Sequence, residues 1–323
     1  MNKKHYDISV LILTYEQDKQ AVLLALASAV IQKGVSFQII ISDDGSSVVY
    51  AEDYIKFMKK NNFEDYQILL HESNQGTVKN LKSAIDAAEG DYIKGRAPGD
   101  CFTSDDCLKL WLNDIKNKGS QLSFCDTVQY YKTDHGFQCM AGMARPQAPE
   151  VYKKRKALQK KYYLLFNDIF LGASPLLERK IAQKYVALIA DKVKYAEDNM
   201  YRLMILDGIQ CSHFCHNALF YEWGTGVSTK SDSPYAKRLK TDWEVISQYI
   251  YDHCPDGYFG EKLRMGYSTP NEKRFTVQWF IGIMLSVEIY FFNQRKKRKL
   301  RKTDIVSLEF LTYLEKMVHE YEK

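Results

Sequence analysis

Two apolar runs limit the architectures open to this chain. Ile8-Ser9-Val10-Leu11-Ile12-Leu13-Thr14-Tyr15 and Ile39-Ile40-Ile41-Ser42-Asp43-Asp44-Gly45-Ser46 are rich in β-branched residues and leucine, and read as strands buried on both faces. Between them, residues 19 to 32 place Leu23, Leu24, Ala27, Val30 and Ile31 on one helical stripe that can cover such strands. The unit is therefore a βαβ crossover. In parallel sheets ligands gather beyond the carboxyl ends of the strands, which is where Thr14, Tyr15, Asp43 and Asp44 fall. The same Asp-Gly-Ser segment is also ordinary turn chemistry.

The order continues in kind. Residues 66 to 71 form a short strand that Asn74-Gln75-Gly76-Thr77 breaks, and Leu81, Ile85 and Ala88 give residues 78 to 89 the spacing of an amphipathic helix. Gly90-Asp91-Tyr92-Ile93-Lys94 opens the next strand, which runs into Ala97-Pro98-Gly99-Asp100. Asp105 and Asp106 follow Thr103 and Ser104, and read as first-turn acids of a helix over residues 104 to 117. A second acidic cluster, Tyr195-Ala196-Glu197-Asp198-Asn199, precedes a helix with Arg202 four residues beyond Asp198. That is a helix start with an i,i+4 pair, or a catalytic carboxylate site.

These segments resemble, in order and spacing, the family 2 glycosyltransferases of the GT-A fold. The resemblance implies a Rossmann-like α/β domain with a mostly parallel central sheet and flanking helices. It places Tyr15 and Thr14 against the base of a nucleotide sugar and Asp44, with Asp43 as a lesser partner, on the base or ribose. The Asn-x-Gly turn at Gly76 precedes Lys79 and Asn80, which would reach the nucleotide or its phosphates. Family members carry Asp-x-Asp-Asp where this chain has Ala97-Pro98-Gly99-Asp100, so Asp100 matches the last acid alone. The implied cofactor is Mg²⁺ or Mn²⁺ held by Asp100, with diphosphate oxygens and water completing the shell. Asp198 would be the base that deprotonates the acceptor hydroxyl, and Glu197 a neighbour that shapes its environment. The absence of a Gln-x-x-Arg-Trp segment favours addition of single sugars.

Two later segments fit the same resemblance. Gly172-Ala173 borders the expected sugar pocket, where glycine allows either close approach of a ligand or a tight turn. Tyr221-Glu222-Trp223-Gly224-Thr225-Gly226-Val227-Ser228 is similar to a loop near donor phosphate and acceptor, with Trp223 stacking on a sugar or anchoring the loop.

A chain of 323 residues with 46% hydrophobic content can bury one α/β domain and a smaller helical extension. The expected division is a GT-A domain at 1–230 and a helical C-terminal extension at 231–323. Seven cysteines without paired spacing point to a reducing compartment. Cys211-Ser212-His213-Phe214-Cys215-His216 reads as a strand whose cysteines point one way, not as a zinc site.

The net charge is +5, and Arg295-Lys296-Lys297-Arg298-Lys299-Leu300-Arg301-Lys302 carries seven positive charges, leaving 5 − 7 = −2 elsewhere. Before it, residues 277 to 292 are apolar almost all round but fall short of the roughly 20 needed to span a bilayer. A core or interface helix is one reading, and a peripheral membrane contact through 277–302 the other. No apolar stretch with a cleavage site follows Lys3 and Lys4, so a cytoplasmic protein, peripheral on the inner face of the cell membrane, is expected. No zinc-finger, helix-turn-helix or RRM signal supports a nucleic-acid partner. The expected partners are a nucleotide-sugar donor, UDP-linked, and a surface-polysaccharide or lipid-linked glycan acceptor, and the pattern is compatible with an oligomer. The expected chemistry is inverting transfer; the alternative is a non-catalytic nucleotide-sugar-binding partner of a polysaccharide synthase.

Overall fold

A computed structural model of the chain describes residues 4–224, 235–269, 271–285, 291 and 300–323. Strands β1 (Ile8–Thr14), β2 (Phe37–Asp43), β3 (Tyr66–Leu70) and β4 (Tyr92–Arg96) are linked by helices α1 (Lys19–Val30), α2 (Ala51–Lys60) and α3 (Thr77–Ala87). They pair in parallel, in the order β3-β2-β1-β4. The order reverses between β1 and β4, so the carboxyl ends of these two strands flank the crevice where ligands bind.

Beyond β4 the sheet is mixed. It continues through β8 (Pro175–Glu178), β6 (Leu122–Thr133), β9 (Cys211–Glu222) and β5 (Cys101–Phe102), with β7 (Gly136–Met140) paired to β6. Of these pairings only β6 with β9 is parallel. The parallel half is the one built from βαβ crossovers, which force parallel neighbours; the later strands are joined by other routes and pair antiparallel.

Period-two alternation divides each central strand between two cores. Ile8, Val10, Ile12, Ile39 and Ile41 face α1, α2 and α4 (Cys107–Asn117), while Leu11, Ile40 and Ile93 face α3, α5 (Lys156–Phe166), α6 (Arg179–Ile189) and α7 (Met200–Asp207). The result is a sheet sandwiched between helical layers.

The C-terminal segment packs on both sides. Helices α8 (Ala236–Asp252), α9 (Tyr258–Ser268) and α10 (Asn271–Leu285) contribute Ile246, Ile250, Leu263, Tyr267 and Ile281 to the α5–α7 core. Gly282 of α10 lies so close to α5 that a Cβ there would come 2.2 Å from the Phe166 ring. On the opposite side α11 (Glu309–Glu322) lays Leu311, Leu314 and Val318 over α1 and α2, with Tyr321 edge-on to Phe57 at 5.2 Å. No helix among the described residues is long and apolar enough to cross a membrane.

Candidate active site

At the carboxyl ends of β1 and β4 lies a cavity of about 1020 Å³, the upper end of the range for ligand sites. Thr14, Tyr15, Asp44, Asn80, Asp100, Glu197 and Asp198 all line it. Asp43, Gly76 and Lys79 do not: Asp43 lines a small neighbouring cleft, and Lys79 is exposed.

The strand ends are braced by side-chain hydrogen bonds. Thr14 Oγ1 donates to Asp43 at 2.8 Å, and Asp43 also accepts from the Ser46 amide and hydroxyl at 2.8 and 2.7 Å. Asp44 accepts the amides of Gln75 at 2.9 Å and Gly76 at 2.8 Å, which folds the 74–76 turn back over the β2 end. Gly76 has φ +98°, and a Cβ there would come 2.4 Å from Lys194, so only glycine fits this turn. Asn80 is buried and bonds Ser42 through both ends of its amide, at 2.5 Å to the hydroxyl and 3.0 Å to the carbonyl.

The β4 end holds a buried charge cluster: Lys94, Arg96 and Asp100 are 0%, 4% and 2% exposed. Lys94 Nζ donates to the carbonyls of Gly95 and Ala173, and lies 5.4 Å from the Trp111 ring centre. Arg96 donates to Ser28 Oγ at 2.7 Å and to the carbonyls of Ala25 and Asp100. Asp100 accepts long contacts from the amides of Glu222 at 3.2 Å and Ala97 at 3.4 Å. Burial pushes the Asp100 carboxyl up to about 7, against the lowering pull of those amides and of both cations. Desolvation lowers Lys94 to about 8.

Across the cavity stand Glu197 and Asp198, in a short 3₁₀ turn (Glu197–Asn199) that leads into α7. Each residue keeps a partly open edge on the cavity, yet its carboxyl is enclosed by protein. Desolvation raises both acids; the Asp198 charge raises Glu197 further, whereas Arg202 and the amides of Asp198 and Asn199 hold Asp198 back. Gly172 packs behind Asp198: a Cβ on it would lie 3.3 Å from the Asp198 Cβ, so the glycine permits close backbone approach to this acid.

One residue that shapes this turn escapes the sequence reading. Asp242 on α8, fully buried, accepts the amides of Lys194, Tyr195 and Ala196 at 2.7–3.3 Å and the Arg238 guanidinium at 2.9 Å. It ties the segment just before Glu197 to the C-terminal helices. Those helices also supply Leu239, Lys240, Trp243, Ser247, Tyr267, Arg274 and Gln278 to the cavity wall. Trp223 lines the cavity and is 47% exposed; residues 225–228 of its loop lie outside the described residues.

Two local expectations need correction. Neither Asp105 nor Asp106 is a first-turn acid: the helix begins at Cys107, Asp106 stands at its N-cap without a side-chain capping bond, and Asp105 pairs with Lys33 at 2.7 Å. The cysteines of β9 do not share a direction, since Cys211 is buried and Cys215 exposed. A register shift around Asp126 is the reason, and it brings His213 and Cys215 beside that carboxylate. Asp126 is occupied by His213 at 3.1 Å and Arg301 at 2.5 Å, and none of the three groups lines the cavity.

Residues 9–184, more than half of the chain, match the glycosyl transferase family 2 model. The chain belongs to that family and is a glycosyltransferase of GT-A architecture. Among solved structures it is similar to S. aureus TarS 1–349, at 14% identity over 98% of this chain and 88% of that one, with a TM-score of 0.57. The same protein in complex with UDP-GlcNAc gives 13% identity, 98% and 89% coverage and a TM-score of 0.58. The mannosyltransferase PcManGT from Pyrobaculum calidifontis, in complex with GDP-Man and Mn²⁺, gives 10% identity, 99% and 86% coverage and 0.54. No curated protein sequence matches the chain.

Whether a divalent ion suits this cavity turns on the donor set. Asp100 is the one carboxylate of the β4 end that lines the cavity; Ala97 and Gly99 offer none, the Glu222 carboxylate lies against Gly99, and the buried cations Lys94 and Arg96 stand beside them. The β4 end therefore offers an ion one cavity-lining carboxylate, and Mg²⁺ or Mn²⁺ would be held by Asp100 only with diphosphate oxygens and water completing the shell.

Proposed function

We propose that this glycosyltransferase moves a sugar from a nucleotide-diphosphate donor, UDP-linked, to a hydroxyl of a surface-polysaccharide or lipid-linked glycan, one sugar at a time and with inversion. The convergence of Asp44, Asp100 and the Glu197–Asp198 pair, from distant parts of the chain, on one large cavity carries the reading. Solved neighbours in complex with UDP-GlcNAc, UDP and GDP-Man support a nucleotide-sugar donor.

In this reading Tyr15 and Thr14 hold the base, Asp44 fixes through Gly76 the turn that closes over it, and Asn80 borders the nucleotide, with Asp43 bracing the strand end; Lys79, exposed outside the cavity, takes no part. The acceptor oxygen attacks the anomeric carbon while the carbon–oxygen bond to the diphosphate breaks, its electron pair leaving with the diphosphate. Asp198 takes the acceptor proton, and its neighbour Glu197 shapes its environment. Residues 1–230 form the donor-binding unit and 231–323 the extension, of which α8, α9 and α10 wall the acceptor side of the cavity.

Asp198→Asn is expected to lower turnover by at least ~10²-fold with UDP affinity retained. Turnover close to wild type in that variant would remove Asp198 from the role of base. The non-catalytic reading is favoured by the loss of the acids at 97 and 99. Hydrolysis of a nucleotide sugar by the wild-type chain, with release of UDP or GDP, separates the two.

A peripheral contact with the inner face of the cell membrane belongs to the same proposal. Phe280 and Met284, one turn apart on α10, are 58% and 71% exposed, and the basic run 295–302 follows in sequence. Residues 286–290 and 292–299 lie outside the described ones. The double variant Phe280→Ser, Met284→Ser is expected to bind anionic liposomes several-fold less in flotation; equal flotation would discard this face as an anchor.

A further inference from the structure

We infer that the acceptor is an anionic glycan, whose acid group is bound by Arg202 and Arg274 in a polar pocket that the C-terminal helices add to the cavity. The inference rests on the glycosyltransferase reading and names the acceptor class of that same site.

Arg202 lies on α7 one turn beyond Asp198, and Arg274 reaches the same cavity from α10. Arg202 donates through Nε to Asn199 Oδ1 at 3.1 Å and through Nη2 to Asn167 Oδ1. Arg274 donates through Nε to the Thr269 carbonyl at 3.1 Å and through Nη1 to Ser247 Oγ at 2.7 Å. All four partners are neutral, and a guanidinium has more N–H donors than each spends here, so both keep donors for a ligand. The two like charges act on one another: desolvation lowers Arg274 and the Arg202 charge lowers it further, against Tyr267 and Glu244. Asp198 and Glu244 reach the pair through their charges, yet neither accepts a hydrogen bond from it, and Glu244 does not line the cavity. Asp242, the other acid of this part of α8, is occupied by Arg238 and by backbone amides. An anion supplied by a ligand would relieve the repulsion between the arginines.

A second observation points to a ligand at the same place. Gln278 follows Arg274 by one turn on α10, is 5% exposed and lines the cavity, and its amide has no hydrogen-bond partner among the described residues. A buried amide left unpaired is unfavourable, and a ligand hydroxyl or acid oxygen in the cavity would satisfy it. On α8, Trp243 stands one turn before Ser247 on the cavity face and is 55% exposed. Its indole offers an apolar face to the C–H face of a sugar, which fits a glycan that carries the anion.

Position assigns this pocket to the acceptor. In an in-line displacement the attacking hydroxyl comes from the side opposite the departing diphosphate, so the wall beside the base Asp198 faces the acceptor. Asn167 apart, the residues of the pocket lie outside the family match at 9–184. The pocket therefore belongs to this chain's own extension and not to the segment that the family model covers.

The test is calorimetric titration of the full chain, saturated with UDP, with oligomers of similar length: a hyaluronan hexasaccharide for carboxylates, a glycerol-phosphate hexamer for phosphodiesters, and maltohexaose as the neutral control. At least one anionic oligomer is expected to bind at least ~10-fold more tightly than maltohexaose, and which of them does so identifies the acid. Arg274→Gln is expected to bring the affinities within ~2-fold of one another with UDP affinity unchanged. Lys237→Gln removes an exposed charge that does not line the cavity and is expected to keep the preference. The comparison in the wild-type chain stands whether or not a variant folds: maltohexaose binding as well as both anionic oligomers, or no binding of either anionic oligomer, overturns the inference. So does a preference that survives Arg274→Gln, or one that Lys237→Gln erases equally, which would mark general charge attraction. UDP affinity at least ~10-fold weaker in a folded Arg274→Gln variant would give the arginine to the donor and also overturn it. A wild-type chain that fails to bind UDP defeats the glycosyltransferase reading itself, a separate outcome.

Discussion

At the scale of single residues, burial decides which acids around the cavity carry charge. Asp100 is enclosed, and its carboxyl is pushed from 3.8 up to about 7 chiefly by desolvation. The folded chain thus holds this proton to higher pH than the unfolded chain does. The stability so gained is fully present below about pH 4 and is lost as pH rises through 7. Asp100→Asn removes that loss, so its stability relative to wild type is expected to rise between pH 4 and pH 8, by an amount on the order of 2–4 kcal/mol. Any constant offset from leaving Lys94 and Arg96 without their carboxylate leaves the slope intact. Urea unfolding of both proteins across that range reads it, and parallel curves would show that Asp100 titrates in the ordinary range. The acids were legible in the sequence because a carboxylate at a strand end or helix start is conspicuous. Their environment was not: that Gly99 stands against Glu222, or that Asn80 spends its amide on Ser42, depends on contacts between distant segments.

At the scale of elements, the βαβ half of the sheet follows from local pattern alone. Uniform apolar runs in β1 and β2 specify buried parallel strands before any tertiary contact is known, whereas α1 is buried all round from Val22 to Ala29 and not along the one stripe expected of it. The second half was less legible because β6, β8 and β9 pair by long-range register, and the shift at Asp126 turns Cys215 outward. Helix α11 shows a pattern that the basic run before it obscured. Leu311, Leu314 and Val318 recur at i, i+3 and i+7, and the structure buries all three against α1 and α2. Lys19–Glu322 at 3.2 Å and Tyr321 Oη to the Asp53 carbonyl at 2.9 Å close its edge. Leu314 is fully buried, so Leu314→Ala is expected to cost about 2–5 kcal/mol. Denaturant midpoints measure that cost; a loss under about 1 kcal/mol would mean that α11 is a dispensable tail.

At the scale of the whole molecule, the two ends of the cavity are mechanically joined. The β2 end holds the 74–76 turn through Asp44, that turn abuts Lys194, and the Val78 amide donates to the Lys194 carbonyl at 3.1 Å. Asp242 then grips Lys194, Tyr195 and Ala196 from α8. The C-terminal helices therefore set the position of the Glu197–Asp198 turn although they lie outside the family match at 9–184. Asp242 also acts through its charge, raising Glu197. Asp242→Asn keeps the shape and one acceptor oxygen but removes the charge and loosens the amide clamp. Turnover is expected to fall about 10-fold or more with UDP affinity unchanged, since the donor end is held by other bonds. With one negative charge fewer nearby, the acid limb of the pH–rate profile is expected to move to lower pH, because Glu197, which that charge raises, then gives up its proton more readily. A purely structural defect would lower the amount of active enzyme and leave the limb where it was. An unmoved limb with near-normal turnover would mean that α8 merely covers this turn.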